Sequence, residues 1–170
     1  MRRSSLKLES MRDLLIEELR DLYDAEKQLI EALPKMSRAA TSPELKSAFD
    51  HHLDQTRDHL TRLKSVFSDL GEKPTGEACE AMQGLIKEGE NIAQAKGNDD
   101  VRDAGLIGAA QRVEHYEMAG YGTARALARQ LGDDRVAEML QTILKEEGEA
   151  NEKLTAIAEK HVNVSAASAK

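Results

Sequence analysis

Apolar residues recur along this chain in steps of three, four and seven, as they do in helices that each bury one face. Over residues 8–40 the stripe is Met11, Leu15, Leu19, Leu22, Leu29 and Leu33. Pro34 lies inside this stretch. An interior proline lacks a backbone donor and clashes with the preceding turn, so it is expected to kink the helix or end it near Leu33. Thr41-Ser42-Pro43-Glu44 reads as a fresh start, with hydroxyl caps, proline in the first turn and an acid at the positive end of the helix dipole. The second helix carries Leu45, Phe49, Leu53, Leu60, Leu63 and Phe67 and is expected to stop near Leu70, before Gly71.

Residues 71–100 break the pattern with Pro74, Gly76, Gly84, Gly89 and Gly97. A shorter helix over 76–95 can still carry Met82, Leu85, Ile86 and Ile92, and it reads as a helical crossover. Asn98-Asp99-Asp100 caps a third long helix over 101–131. Gly132-Asp133-Asp134 makes a tight turn into a fourth over 134–161. Residues 1–162 form one helical domain, and 163–170 a small polar tail expected to fray. Two long hairpins joined by one long crossover predict an all-α fold, a ferritin-like four-helix bundle.

Composition agrees. The chain has 170 residues, no Trp and two Phe, and good helix formers dominate it. It is long enough to bury roughly 70% of its unfolded surface as one domain. A net charge of −7 repels phosphate backbones, which argues against nucleic-acid partners. The Met1-Arg2-Arg3 start lacks the apolar stretch of a signal peptide, and no apolar run approaches the roughly 18 residues of a membrane span. One cysteine, Cys79, allows no internal disulfide and fits a cytoplasmic location. Glu77 and Glu80 flank it, so it reads as a small core residue and not a reactive thiol. Hydrolase triads, glycine-rich phosphate loops and Cys-x-x-Cys sites find no support.

The chemistry begins where polar residues interrupt the stripes. Glu26 sits between Leu22 and Leu29, where an aliphatic residue belongs. Glu117 shares a face with Val113 and Ala124; Glu114 lies three residues before it and Tyr121 four after. Glu147 continues the face of Leu140, Ile143 and Leu144. The second helix offers His52, Gln55, Thr56 and His59 at spacings that stack side chains. One such Glu usually reaches solvent from the edge of a stripe, and one such His is usually a hydrogen-bonded core residue. Four helices contributing together is different. Buried carboxylates without counter-charge cost several kcal/mol each. Two divalent ions would resolve the conflict, with iron, manganese or zinc suited to oxygen and imidazole donors. Glu146, Glu149, His51, His115 and His161 read as surface residues, and Tyr23 and Tyr121 as core aromatics or, alternatively, as hydrogen-bond donors behind the ligands.

The runs Asp24-Ala25-Glu26-Lys27-Gln28-Leu29, His52-Leu53-Asp54-Gln55-Thr56, Val101-Arg102-Asp103-Ala104, Val113-Glu114-His115-Tyr116-Glu117 and Glu146-Glu147 resemble the YciE/YciF family of ferritin-like bacterial stress proteins. The likeness spans about residues 10–160. It implies a bundle of the di-iron carboxylate type, often a homodimer, with Glu26, His52, position 55, Glu114, Glu117 and Glu147 as ligands. Two positions depart from the general di-iron plan. Helix two reads His52-x-x-Gln55 in place of Glu-x-x-His, and Asn151 stands where a His would follow Glu147. Gln55 brings one charge less than a carboxylate, while His59, one turn on, offers an extra ligand.

Three functions compete. The first is a metal-binding protein with a di-iron-type site, handling iron, oxygen or peroxide. The second is a non-enzymatic helical stress-response dimer with a vestigial or single-metal site. The third is a mini-ferritin shell that protects DNA, which the acidic charge disfavours.

Overall fold

The computed structural model describes residues 6–168. The Met1-Arg2-Arg3 start and the last two residues of the polar tail lie outside the described residues. No strand occurs among the described residues. The elements are α1 (Met11–Ala39), α2 (Pro43–Asp69), α3 (Glu80–Ala93), α4 (Asp99–Leu131), α5 (Asp134–Ile157), a π turn (Ala158–Val162) and α6 (Asn163–Ala167).

Side-chain caps fix several starts. Ser10 Oγ accepts from the Asp13 amide, Ser42 Oγ from Leu45 and Asn98 Oδ1 from Val101, each satisfying a donor with no partner inside its helix. Gly132 ends α4 at φ 81°, a left-handed conformation that suits a residue without Cβ.

Pro34 does not end α1, which continues to Ala39. The interior proline costs about 3 kcal/mol. Past it, Ala40 is buried and Met36 and Ala39 pack on the core, so tertiary burial outweighs that penalty.

α1, α2, α4 and α5 form the bundle. α1 lies beside α2 and α4, and α5 beside the same two. The apolar core falls into two clusters. One contains Leu15, Leu19, Leu63, Phe67, Ala128 and Leu140; the other contains Leu29, Leu33, Phe49, Leu106, Val113 and Leu154. α1 and α5 therefore run one way and α2 and α4 the other. The link from α2 to α4 must traverse the whole bundle, which is why the crossover is long.

The crossover begins later than the glycine pattern suggests. α3 starts at Glu80, because residues 72–79 run across the surface of α1. Asp24 Oδ2 accepts from the Cys79 amide at 2.9 Å, and Gln28 donates to the Cys79 carbonyl at 3.2 Å. Cys79 is fully buried, as expected, and its Sγ accepts from the Met82 amide to cap α3. A Cβ on Gly105 would lie 2.8 Å from Ile92, so the close seat of α3 on α4 requires glycine there.

The last helix differs from its expected course. α-Helical pairing stops at Ile157, and the π turn carries the chain to Val162, which is buried. Residues 163–167, expected to fray, are helical.

Candidate metal centre

The two apolar clusters leave a polar band between them at mid-bundle. Each helix of the bundle enters it where its apolar stripe is interrupted. α1 brings Glu26, α2 brings His52 and His59, α4 brings Glu114 and Glu117, and α5 brings Glu147. All six are buried. They fall into two groups whose donor atoms lie within 4.8 Å of one another: His52, Glu114, Glu117 and Glu147, and Glu26, His59 and Glu147. Glu147 belongs to both.

The distances define the arrangement. His52 Nε2 lies 3.4 Å from Glu114 Oε1 and 3.7 Å from Glu147 Oε2. His59 Nδ1 lies 2.9 Å from Glu147 Oε1 and 3.3 Å from Glu26 Oε1. Yet His59 Nδ1, both His52 nitrogens, both oxygens of Glu117 and of Glu147, and one oxygen each of Glu26 and Glu114 have no hydrogen-bond partner. Buried polar atoms are nearly always paired, and each one left unpaired costs about 1–3 kcal/mol. Every member of the set contributes at least one such atom, and all of them are metal-ligand types. The residues therefore fit a cation pair better than a hydrogen-bonded core.

Charge is distributed accordingly. Burial, reinforced by Glu147, raises Glu26 to about 7 against the pull of His59 and Tyr121. Burial and neighbouring carboxylates raise Glu114 and Glu117 well above the ordinary range. Burial lowers His52. Burial would also lower His59, but Glu147 and Glu26 overrule it and raise the ring to about 11. Burial opposes ionisation of Glu147, yet contact with His59 and His52 lowers its pKa. Without metal, these shifts favour an imidazolium–carboxylate pair of His59 and Glu147 and favour the protonated forms of Glu114 and Glu117.

Around this set lie groups that orient it. Glu146 Oε2 pairs with His59 Nε2 at 2.8 Å and accepts from Arg62 at 2.6 Å. That contact leaves Nδ1 as the ring atom facing the centre. Glu146 is thus not the free surface residue expected. It lies one position before Glu147, turned toward α2, where His59 and Arg62 stand three residues apart. Tyr121 donates its hydroxyl to Glu26 Oε1, so this core aromatic also carries a polar contact to the site. Tyr23 meets Phe67 edge-on at the margin of the core.

Gln55 is only half-buried. It borders a cavity of about 20 Å3 with His52 and Glu114, and it supports the charged form of His52. Its place beside His52 is at the edge of the donor set. By helical phase, at about 100° per residue, position 55 lies at the margin of the face that His52, Thr56 and His59 share, which is why its side chain is only half-buried. Asn151 is also outside the set, accepting from Gln111 at 3.2 Å. His51, His115 and His161 are exposed, as expected. The sequence reading missed Asp103. Its buried carboxylate accepts from the Thr41 and Ser42 amides and the Thr41 hydroxyl, tying α4 to the start of α2.

Comparison with known proteins agrees with this architecture. The family model described as a domain of unknown function, DUF892, matches residues 10–167. Protein YciF of Escherichia coli strain K12 is 42% identical over 159 residues, covering 93% of this chain and 96% of that protein. The crystal structure of the E. coli stress protein YciF superposes with a TM-score of 0.88 at 41% identity, covering 92% of this chain and 99% of that one. YcfI of Rhodopseudomonas palustris, described as a structural protein, gives 0.85 at 43% identity, covering 91% and 98%. The chain belongs to the YciE/YciF family, DUF892. No helix among the described residues is long and apolar enough to cross a membrane.

Proposed function

With that family as the premise, we propose that this chain is a ferritin-like metal-binding stress protein that holds two divalent ions in its bundle core. The observation that carries the reading is Glu147, a buried carboxylate shared by two donor groups, 2.9 Å from His59 Nδ1 through one oxygen and 3.7 Å from His52 Nε2 through the other. His52, Glu114 and Glu117 would hold one ion, Glu26 and His59 the other, and Glu147 would bridge them. Iron suits this set best, and manganese or zinc fits the same donors. Iron bound there supplies redox chemistry toward oxygen or peroxide. The protein's part is to fix the donors from four helices and exclude bulk water. Glu146 holds the His59 ring, and Tyr121 holds Glu26. Uptake displaces protons from Glu114, Glu117 and His59. The buried Cys79 and the acidic charge support a cytoplasmic protein without nucleic-acid partners, and the family resemblance supports a homodimer.

One observation favours a second reading. His59 already balances Glu147 in the metal-free centre, so the Glu26–His59 half can stand without an ion. The chain would then be a non-enzymatic helical protein with one metal or a vestigial site. Elemental analysis of protein prepared with iron separates the two. The proposal expects about two ions per chain, with loss in both Glu26→Ala and Glu117→Ala. Metal content unchanged by either substitution sinks it, and one ion that survives Glu26→Ala favours the second reading.

A further inference from the structure

A cavity of about 50 Å3 lies between α1, α2, α3 and α4. Leu33, Met36, Phe49, Ile86, Ala110 and Val113 contribute to its walls. The surface they offer is almost wholly apolar. Its inner end is formed by His52 and Glu114, two members of the donor set. At the outer end Lys35 and Glu90 form a 2.9 Å ion pair that links α1 to the crossover helix. Met36 and Ile86 are only partly buried there, so the chamber reaches toward the edge of α3.

Size and polarity select the occupant. An engineered cavity that binds benzene measures about 150 Å3, so an aromatic ring or an acyl chain is far too large here. A water molecule needs two to four polar partners, and apolar walls do not supply them. A small apolar gas meets both conditions. It would also lie beside His52 and Glu114, two residues that each keep a buried polar atom without a hydrogen-bond partner. We propose that this cavity is a docking chamber for dioxygen, through which the gas approaches the metal centre from its His52–Glu114 edge. The approach to bound ions rests on the function proposed above; the binding of gas in the chamber does not. The crossover helix thereby gains a role, since α3 supplies one wall of the chamber through Leu85, Ile86 and Gly89.

Two measurements on the metal-free full-length protein test the chamber itself. Crystals pressurised with xenon should show an anomalous peak between Leu33, Ile86 and Val113. Dissolved dioxygen, which is paramagnetic, should broaden the methyl NMR signals of Met36 and Ile86 several-fold more than that of exposed Val164. An empty cavity under xenon, or broadening no greater than at Val164, overturns the proposal. Both use the wild-type chain, so they stand whether or not a variant folds. Ala110→Leu fills the chamber and should abolish both signals. Loaded with iron, the same variant should keep its metal content and oxidise at least tenfold more slowly; an unchanged rate overturns the access role. A chain that takes up no iron defeats the proposed function, yet leaves the xenon and dioxygen results readable.

Discussion

The middle of this bundle and its α1-start end are built from the same four helices on opposite principles. At the end, Leu15, Leu19, Leu63, Phe67 and Leu140 are fully buried and need nothing beyond one another. At the middle, Glu26, His52, His59, Glu114, Glu117 and Glu147 are as deeply buried and leave polar atoms without partners. The backbone is helical through both. The difference shows that the end stabilises the fold and the middle draws on that stability. Substitutions in the two regions should therefore move stability and metal content independently.

The largest stability effect belongs to the end. Leu140→Ala removes a buried side chain and leaves a cavity, which should cost about 2–5 kcal/mol in denaturant unfolding. Metal per chain should be unchanged. Loss of metal in the folded variant would show that the two regions are not separable.

At the middle the sign reverses. Glu117 has two buried oxygens and no hydrogen bond. Glu117→Met keeps an unbranched side chain and removes both, so the metal-free protein should gain about 1–3 kcal/mol. Metal binding should fall at least tenfold in the same variant. A metal-free Glu117→Met protein less stable than wild type would mean that the carboxyl serves the fold, and the contrast would be wrong.

How much of this contrast the sequence displays follows from helical phase. Glu26 and Glu147 are legible because each interrupts an aliphatic stripe, and Glu117 because it sits between Val113 and Ala124. His59 was visible as one turn beyond Gln55, but the rank of the two was not. A three-residue step leaves Gln55 at the edge of the face that His52 and His59 share. Glu146 was hidden because its partners, His59 and Arg62, are on another helix. Asp103 was hidden for the same reason, since its partners Thr41 and Ser42 lie 62 and 61 residues away. The four bundle helices and the crossover were legible from punctuation. The passage of α1 through Pro34, the late start of α3 and the π turn were not, because long-range packing decides them.

Proton linkage gives a smaller effect, confined to the middle. Between pH 7 and 9, His52 and Glu147 no longer change charge, because their folded pKa values are lowered from ordinary values of 6.5 and 4.5. His59, raised from 6.5 to about 11, contributes stability that is full below 6.5 and is lost as pH rises toward 11. Glu114 and Glu117, raised well above 4.5, contribute stability that is lost as pH rises from 4.5 through their raised folded values, the same direction as His59. The Tm of metal-free protein should fall by several degrees from pH 7 to 9. With metal bound, ions replace those protons and the fall should shrink. A flat profile for the metal-free protein would remove the imidazolium–carboxylate account of its centre.

Tyr121 lies on the boundary of the two regions, and its substitution should have the smallest effect. Its ring packs with Ala124, Ala128 and Leu140 in the apolar cluster, while its hydroxyl donates to Glu26. Tyr121→Phe keeps the ring and removes one hydrogen bond, worth about 1 kcal/mol and roughly 2–4 °C in Tm for a chain of this size. That bond also lowers the Glu26 pKa against the effect of burial. Without it the carboxyl holds its proton to higher pH, and a proton on a ligand competes with the metal. The midpoint pH for metal uptake should therefore rise in Tyr121→Phe while metal content at high pH matches wild type. A ring that served packing alone would leave that midpoint where it is. A variant that lost metal at every pH would instead make the hydroxyl indispensable to the centre and move the boundary one turn into the apolar end.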